Sequence, residues 1–523
     1  MRDEIALQAA STPDGTALVD AATDESWTFA EFDTEVQATA GRLAALGVES
    51  GDRVAVLMET RPAFARLVFA CARLGAVLVP LNARLSRPEL ETHVDAVRPV
   101  LVVCEADTVA DADELDAPAV SVDAGAAEGS AATVGDFAAR TPDAIQPADL
   151  AWDDTRALMF TSGTTGDPKA VRLTYGNFAA SAVASAFRLG VLPEDRWCCP
   201  LSMYHMGGLS VVLRSALYGT TAVLTRGFDA NPVRDALAAY DCTGVSLVPT
   251  MLRRLLDAGG VPDGLRFALV GGAPTPPELA ARALDAGVPV CLTYGMTETT
   301  SQVATLRPEQ ASDAPAGGGQ SDRLDTVGRP LLGTEVTVVD GDGSPLPAGE
   351  EGELVVSGPT VTPGYLNSGG AAGGESGANA GRFCEHGLRT GDRGFVDDEG
   401  YLHVRGRQAD RIITGGENVD PERVEDVLAD HSRVTDAAVV GVPDDEWGER
   451  VGALVVLAGD ESAAPATGDA ATGDVVEELL AFAEDRLADY ERPRIVVAVD
   501  SLPRTASGTV DREAAVEELA DEN

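Results

Sequence analysis

The chain has 523 residues, with 84 Asp+Glu against 39 Lys+Arg and a formal charge of −45. At roughly 100–200 residues per domain, that length predicts two to four units, and 45% hydrophobic residues argue against general disorder. Nucleic acid and anionic membrane surfaces are disfavoured as partners, because both would repel the summed field.

The basic residues are one lysine, Lys169, and 38 arginines. An acidic surface almost without lysine fits a halophilic protein, since concentrated salt screens self-repulsion. An acidic mesophilic protein from an arginine-biased genome is the other reading. Seven cysteines form no CxxC pair and no zinc spacing, which fits structural thiols in a reducing cytoplasm. The start, MRDEIALQAAS, lacks the basic and apolar regions of a signal peptide. Leu67 to Leu81, the most apolar stretch, is broken by Arg73, Gly75 and Pro80, so no membrane insertion is expected.

Along the chain, Val54–Met58 reads as a buried strand and Pro62–Leu74 as a helix with proline in its first turn. Ala76–Val79 and Val100–Cys104 are further strands, and Ala106 to Ala148 reads as a weakly structured surface connection. Strands resume at Ala157–Thr161, Val245–Val248, Phe267–Val270 and Val290–Thr293, separated by helical segments. This alternation predicts α/β layers with mainly parallel sheets. From Val327 to Gly358, short β-rich pieces split by turns suggest antiparallel strands. Asn367–Gly381 and Gly459–Gly473 read as flexible inserts by composition. Beyond Arg407 a separate α+β unit is expected, with a helix at Pro421–Ala429, strands at Ala437–Val442 and Ala453–Leu457, and a helix at Val475–Ala488. The expected domains are therefore residues 1–407 and 408–523.

The sharpest motif is Thr161-Ser162-Gly163-Thr164-Thr165-Gly166-Asp167-Pro168-Lys169, directly after a strand. Hydroxyls and backbone N–H groups can wrap phosphate oxygens, and glycine permits close approach. Its spacing is not that of a Walker A loop. Gly271-Gly272-Ala273-Pro274 follows another strand and offers a flat, small surface to a ring. Tyr294-Gly295-Met296-Thr297-Glu298 follows a third, offering an aromatic to stack, a hydroxyl for phosphate and a carboxylate for magnesium. Three such loops would share the carboxyl edge of a sheet, where α/β proteins bind nucleotides. Asp392, in Thr390-Gly391-Asp392, could hold a ribose diol, and Gly406-Arg407 with Gly415-Gly416 places cations and glycines at the junction of the units.

Together these motifs resemble the adenylate-forming acyl-CoA synthetases, from about Trp27 to Arg512. The resemblance implies a large N-terminal domain of layered sheets with a small β-barrel-like part, and a smaller mobile C-terminal domain. It implies ATP, magnesium and coenzyme A, and a carboxylic acid activated as acyl-AMP before thioester formation. Thr161 to Lys169 would cradle pyrophosphate, Glu298 would bind magnesium, and Gly272, Ala273, Pro274 and Tyr294 would flank adenine. Gly295, Met296 and Thr297 would complete the nucleotide contacts. Asp392 and Arg407 would hold the ribose, and Gly415, Gly416 and Trp447 would line the pantetheine path. The run Pro200 to Ser215 and the extension Thr299 to Gln302 look like the o-succinylbenzoate–CoA ligases of menaquinone synthesis. In that likeness His205 closes the acyl pocket, Gly207 and Gly208 leave room for an aromatic ring, and Ser301 and Gln302 contact the aryl ketone or carboxylate. Arg214 is then a candidate for the second carboxylate. Another aryl or medium-chain acid is the alternative.

One position departs from the family pattern. Pro503-Arg504-Thr505-Ala506-Ser507-Gly508-Thr509 ends in threonine where relatives carry a catalytic lysine. Arg504 or Arg512 could supply the charge, the chemistry could run without it, or the chain could be a non-catalytic nucleotide or acyl-CoA binding protein. Ala170 and Ala409 are milder departures.

Overall fold

The computed structural model describes residues 2–123, 125, 134–161, 169–312, 323–366, 379, 381–407, 412–414, 417–444, 447–458, 469–484, 486–487, 489–505 and 509–520. The chain divides into two compact units. The larger holds residues 1–350, 354–390 and 395–403; the smaller holds 351–353, 391–394 and 404–523. Among the described residues no helix is long and apolar enough to cross a membrane.

Two sheets dominate the larger unit. One runs from edge to edge through Arg329–Pro330, Ser301–Leu306, Val290–Met296, Phe267–Val270, Gly244–Leu247, Arg196–Cys199, Thr221–Leu224, Thr16–Asp20 and Glu25–Thr28. Its pairings from Val290–Met296 across to Thr16–Asp20 are parallel, and the outer ones are antiparallel. The other runs through Gly135–Asp136, Ala119–Ser121, Leu101–Cys104, Arg53–Leu57, Val77–Leu81, Thr155–Thr161 and Lys169–Thr174, parallel except for the last pair. Strands covered on both faces are apolar at every position rather than at alternate ones. Val54, Ala55, Val56 and Leu57 accordingly are all buried.

Local signals place the helices. Pro62 starts the helix Pro62–Leu74 and left-handed Gly75 ends it. Thr28 and Glu31 form a capping box for Phe29–Ala45, which turns Phe29, Phe32, Val36, Ala40 and Leu43 into the core. The stretch expected to be a weak connection is more ordered than composition suggests. It contains the helix Val109–Glu114 and two strands, Ala119–Ser121 and Gly135–Asp136, that extend a sheet. Short strands can join an existing sheet edge with little apolar content of their own, which hides them from periodicity. Residues 367–378 and 380 of the first expected insert lie outside the described residues.

A third, five-stranded sheet contains Glu335–Val339, Gly352–Ser357, Gly387–Val396 and Phe383–Cys384 in that order, with Leu402–Arg407 against Gly387–Val396. It is the small β part. In the smaller unit, Glu417–Val419, Ile412–Thr414, Gly448–Leu457 and Val434–Asp444 form a sheet, with Ile495–Val499 parallel to Gly448–Leu457. Helices Pro421–Ala429 and Asp469–Glu484 cover one apolar cluster on Val424, Val439 and Val455; Arg512–Ala520 covers a second on Val440 and Leu454. Asp469–Glu484 starts earlier than expected, so residues 469–473 of the second insert are helical.

Candidate active site

The phosphate motif opens where Thr155–Thr161 ends. Thr161 stands opposite Lys169 in the antiparallel pair, and both are half-buried. Ser162, Gly163, Thr164, Thr165 and Gly166, with Asp167 and Pro168, lie outside the described residues. The strand that Lys169 starts packs against the turn Thr297–Thr299, which carries Glu298. Thr362 joins the two: its N–H donates to the Glu298 carbonyl at 2.7 Å and its Oγ1 to the Arg172 carbonyl at 2.5 Å. The sole lysine and the expected magnesium carboxylate therefore sit on neighbouring, mutually bonded elements.

Glu298 is 6% exposed. Its Oε1 accepts from Tyr365 Oη at 2.8 Å and lies 3.7 Å from Arg382 Nη2. Arg382 also donates to Tyr365 Oη from Nε and Nη2, at 3.3 and 3.1 Å. Burial and the neighbouring carboxylate push the Tyr365 phenol pKa up, so it stays a donor. Oε2 has no protein partner among the described residues, which suits a hard cation bound through oxygen. Sequence reasoning missed Tyr365 and Arg382. The readable signal was weak, since Tyr365 lies two residues before a Gly/Ala-rich insert and Arg382 directly follows it.

Tyr294, Gly295 and Met296 do not form a loop after the strand, as expected, but continue it, pairing with Ser301–Leu306. A bulge at Tyr294/Gly295 reorients the end of this strand before Glu298. The return is sharp: Thr300 and Ser301 both have positive φ, 53° and 93°. Such conformations in non-glycine residues cost energy and concentrate at functional sites. Thr300 is clamped from two sides, its Oγ1 donating to the Thr360 carbonyl at 2.7 Å and its carbonyl accepting from Ser181 Oγ at 2.6 Å. Met296 and Thr297 are half-buried. Gly272, Ala273 and Pro274 are exposed after Phe267–Val270, with Gly272 at φ 85°.

The acyl-side residues sit around the helix Met206–Tyr218. His205 caps it, edge-on to Tyr204 at 4.8 Å, and its Nε2 is buried without a partner. Gly207 is exposed, whereas a Cβ on Gly208 would meet the Ser202 carbonyl oxygen at 2.4 Å. Gly208 thus has a backbone-packing reason of its own. Gln302 is buried and its Nε2 donates to Thr305 Oγ1 at 2.9 Å; Ser301 is half-buried. Arg214 is buried behind Thr300, with Nη2 donating to Ser181 Oγ at 2.9 Å.

Burial, aided by Arg84, lowers the His205 pKa to about 4, and burial does the same to His93, stacked on Phe160 at 3.9 Å. An unfolded histidine titrates near 6.5. Between about pH 6.5 and 4 the unfolded chain therefore binds protons that the native one does not, and stability falls with pH in that window. Each imidazole contributes roughly 2 kcal/mol by pH 5. Glu422, raised to about 8 by burial, gains stability over the same window, so the variant is compared with the parent: between pH 7 and pH 5, His205→Gln is expected to lose about 2 kcal/mol less in denaturant unfolding than the parent does. An unchanged difference in the variant would show that His205 titrates normally.

The remaining candidates belong to the smaller unit or its strands. Asp392 is buried in the 391–394 segment of that unit. Arg407 ends Leu402–Arg407, and its side chain lies outside the described residues, as do Gly415 and Gly416. Trp447 is 49% exposed, its N–H donating to Asp444 Oδ1 at 2.8 Å. Thr509 stands against Thr505, with Oγ1 2.7 Å from Thr505 Oγ1 and its carbonyl accepting from the Thr505 N–H at 2.8 Å. Both arginines that could stand in for a lysine are engaged: Arg504 Nη2 pairs with Asp436 at 2.6 Å, and Arg512 Nη1 donates to the Val439 carbonyl at 2.5 Å.

Comparison with known proteins agrees with this layout. The AMP-binding enzyme family matches residues 5–366, and the AMP-binding enzyme C-terminal domain matches 423–509. A 2-succinylbenzoate–CoA ligase of Bacillus cereus (strain Q1) is 36% identical over 499 residues, covering 95% of this chain and 94% of the relative. One from Bacillus velezensis is 37% identical over 503 residues, covering 96% and 94%. The o-succinylbenzoate CoA synthetase (MenE) of Bacillus subtilis, solved with its acyl-adenylate intermediate OSB-AMP, superposes with a TM-score of 0.86 at 33% identity, covering 98% of each chain. The same enzyme with ATP and magnesium gives 0.84, covering 98% and 99%. A chain that matches both domains in order, over nearly its whole length and at this identity, is a member of the AMP-binding enzyme family.

Proposed function

We propose that this enzyme is an ATP-dependent o-succinylbenzoate–CoA ligase of menaquinone synthesis. The observation that carries the reading is the likeness, over 95% of the chain, to relatives of that name; the buried Glu298 beside the Lys169 strand gives it a chemistry. In the first half-reaction an oxygen of the acid forms a bond to the α-phosphorus of ATP and the bond to pyrophosphate breaks. In the second, the thiol of coenzyme A takes the acyl group and AMP leaves.

Most of the catalysis is positioning and charge neutralisation. Glu298 would hold magnesium, which when bound offsets triphosphate charge. Lys169 and the hydroxyls from Thr161 onward would bind the β- and γ-phosphates, with Tyr294 to Thr297 and Gly272 to Pro274 around the nucleoside. His205, neutral near pH 7 because burial holds its pKa at about 4, would close the acyl pocket above Gly207 and Gly208. Ser301 and Gln302 would contact the aryl ketone or carboxylate, and Arg214, which donates to Ser181, would serve the second carboxylate. Asp392 and Arg407 would serve the ribose, and Gly415, Gly416 and Trp447 the pantetheine arm. We place the domain boundary at 407/408. The charge of −45 and the single lysine support a salt-adapted cytoplasmic enzyme.

Purified protein in molar salt, given MgATP, coenzyme A and o-succinylbenzoate, is expected to release AMP faster than with other aryl or medium-chain acids. Turnover of another acid in preference would move the substrate assignment. Failure to exchange pyrophosphate with any acid would favour the binding-protein reading, for which Thr509 is the supporting observation. Thr509→Lys is expected to keep or raise the exchange rate, whereas Lys169→Ala should lower it by about 10²-fold. A strong loss in Thr509→Lys would show a geometry unlike that of the family.

A further inference from the structure

Thr60 is a buried polar residue just past the end of the strand Arg53–Leu57. Its side chain reaches the loop that follows Arg196–Cys199, a strand of the other large sheet. There Oγ1 donates to the Leu201 carbonyl at 3.0 Å and accepts from the Met203 N–H at 2.9 Å. Those two groups flank Ser202, whose carbonyl accepts from the His205 N–H at 3.1 Å. Ser202 is closed in from the helix side as well, since its carbonyl oxygen stands 2.4 Å from where a Cβ on Gly208 would be. Glu59 adds a second tie. Its Oε1 accepts from Tyr204 Oη at 3.5 Å and from Arg84 Nε at 3.2 Å, and the Tyr204 ring is edge-on to His205. Met203 is fully buried, so water cannot take over the bond that its N–H makes to Thr60.

We propose that Thr60 is a positioning residue for the acyl pocket: it fixes the loop at 201–203 and, through Ser202, sets where His205 stands at the start of the helix Met206–Tyr218. The buried Nε2 of His205 has no partner, so the ring takes its place from its own backbone and from Tyr204. Both of those are held by the 59–60 pair. A misplacement of about 1 Å in a group that packs on a substrate is enough to weaken binding or slow the reaction strongly. The Thr60 hydroxyl bonds only to this loop, so its loss falls on the acid rather than on ATP. The inference rests on the ligase reading, in which His205 closes the acyl pocket.

Steady-state kinetics of the full chain test it, with whichever acid the parent turns over fastest, so the o-succinylbenzoate assignment can fail without it. Thr60→Val keeps the shape and removes both bonds. The KM for the acid is expected to rise about tenfold, while the KM for MgATP stays within about twofold of the parent. Thr60→Ser, which keeps the hydroxyl, should bring the acid KM back to within about threefold. In a His205→Ala background Thr60→Val should add less than about twofold, because the ring it acts through is gone. An acid KM that does not move, an equal rise in both KM values, or an undiminished effect in the His205→Ala background overturns the proposal. Pyrophosphate exchange with no acid at all would overturn the ligase reading along with it. Crystals of the unaltered protein with the acid and AMP provide a check that does not depend on Thr60→Val folding. Both Thr60 bonds are expected there with the His205 ring packed on the acyl group, and a loop released from Thr60 or a ring turned away from the acid overturns the proposal.

Discussion

Replacing Glu298 by Gln is expected to slow AMP formation by about 10²–10³-fold while leaving the fold intact. The two side chains have the same shape, so Tyr365 can still donate to the Oε1 position, and Thr362 still holds the backbone of the turn. What is lost is the negative charge on Oε2, the oxygen that has no protein partner. A magnesium ion keeps most of its water and depends on one or two carboxylates plus phosphates, so losing one carboxylate removes a large share of its protein-borne affinity. Pyrophosphate exchange measured across magnesium concentrations checks this: the variant should need far more metal and reach a lower plateau. Tyr365→Phe should cost much less, about tenfold, because it removes one hydrogen bond to a charged group rather than the charge itself. A Glu298→Gln rate within a few-fold of the parent would show that Glu298 does not hold the metal.

How much of this site can be read from the sequence depends on how local each signal is. Pro62–Leu74, Phe267–Val270 and Pro421–Ala429 form as expected from end to end, because proline starts, glycine stops and unbroken apolar runs are properties of adjacent residues. Lys169 and Glu298 were also legible, as polar residues of the right chemistry following strands. Tyr294 to Met296 looked like a loop because glycine and polar residues usually end strands. Their strand character comes from pairing with Ala304, Gln302 and Ser301, which requires Thr300 and Ser301 to take backbone conformations that their side chains disfavour. Tyr365 and Arg382 were invisible for a different reason. Their contacts with Glu298 span 67 residues or more, and only the folded chain brings Thr362 to Tyr365 against the Lys169 strand. Likewise Gly208 read as space for a ring, whereas a backbone carbonyl fills the space a side chain would take.

The same turn makes Gly295→Ala the most damaging conservative change expected in the larger unit. A Cβ at Gly295 would stand 1.5 Å from the Ser301 carbonyl oxygen and 2.5 Å from its carbon. Those atoms cannot retreat cheaply, since Ser301 is held at φ 93° and its neighbour Thr300 is bonded to both Thr360 and Ser181. Either the strand pairing breaks or the bulge shifts, and each moves Glu298, three residues on. A loss of about 4 kcal/mol or more is expected, the range in which overpacking joins lost hydrogen bonds. Two glycines calibrate the effect. Gly272→Ala faces open space, its nearest neighbour being Val248 Cγ1 at 3.6 Å, but must adopt φ 85°, so about 1 kcal/mol is expected. Gly341→Ala meets nothing within 4 Å and has no positive φ, so its stability should stay within about 0.5 kcal/mol of the parent. Denaturant unfolding of the three variants in one high-salt buffer should rank them in that order. If Gly295→Ala unfolds alongside Gly272→Ala, the Thr300–Ser301 turn is more pliable than its clamps imply, and the placement of Glu298 must depend on Thr362 and Tyr365 instead.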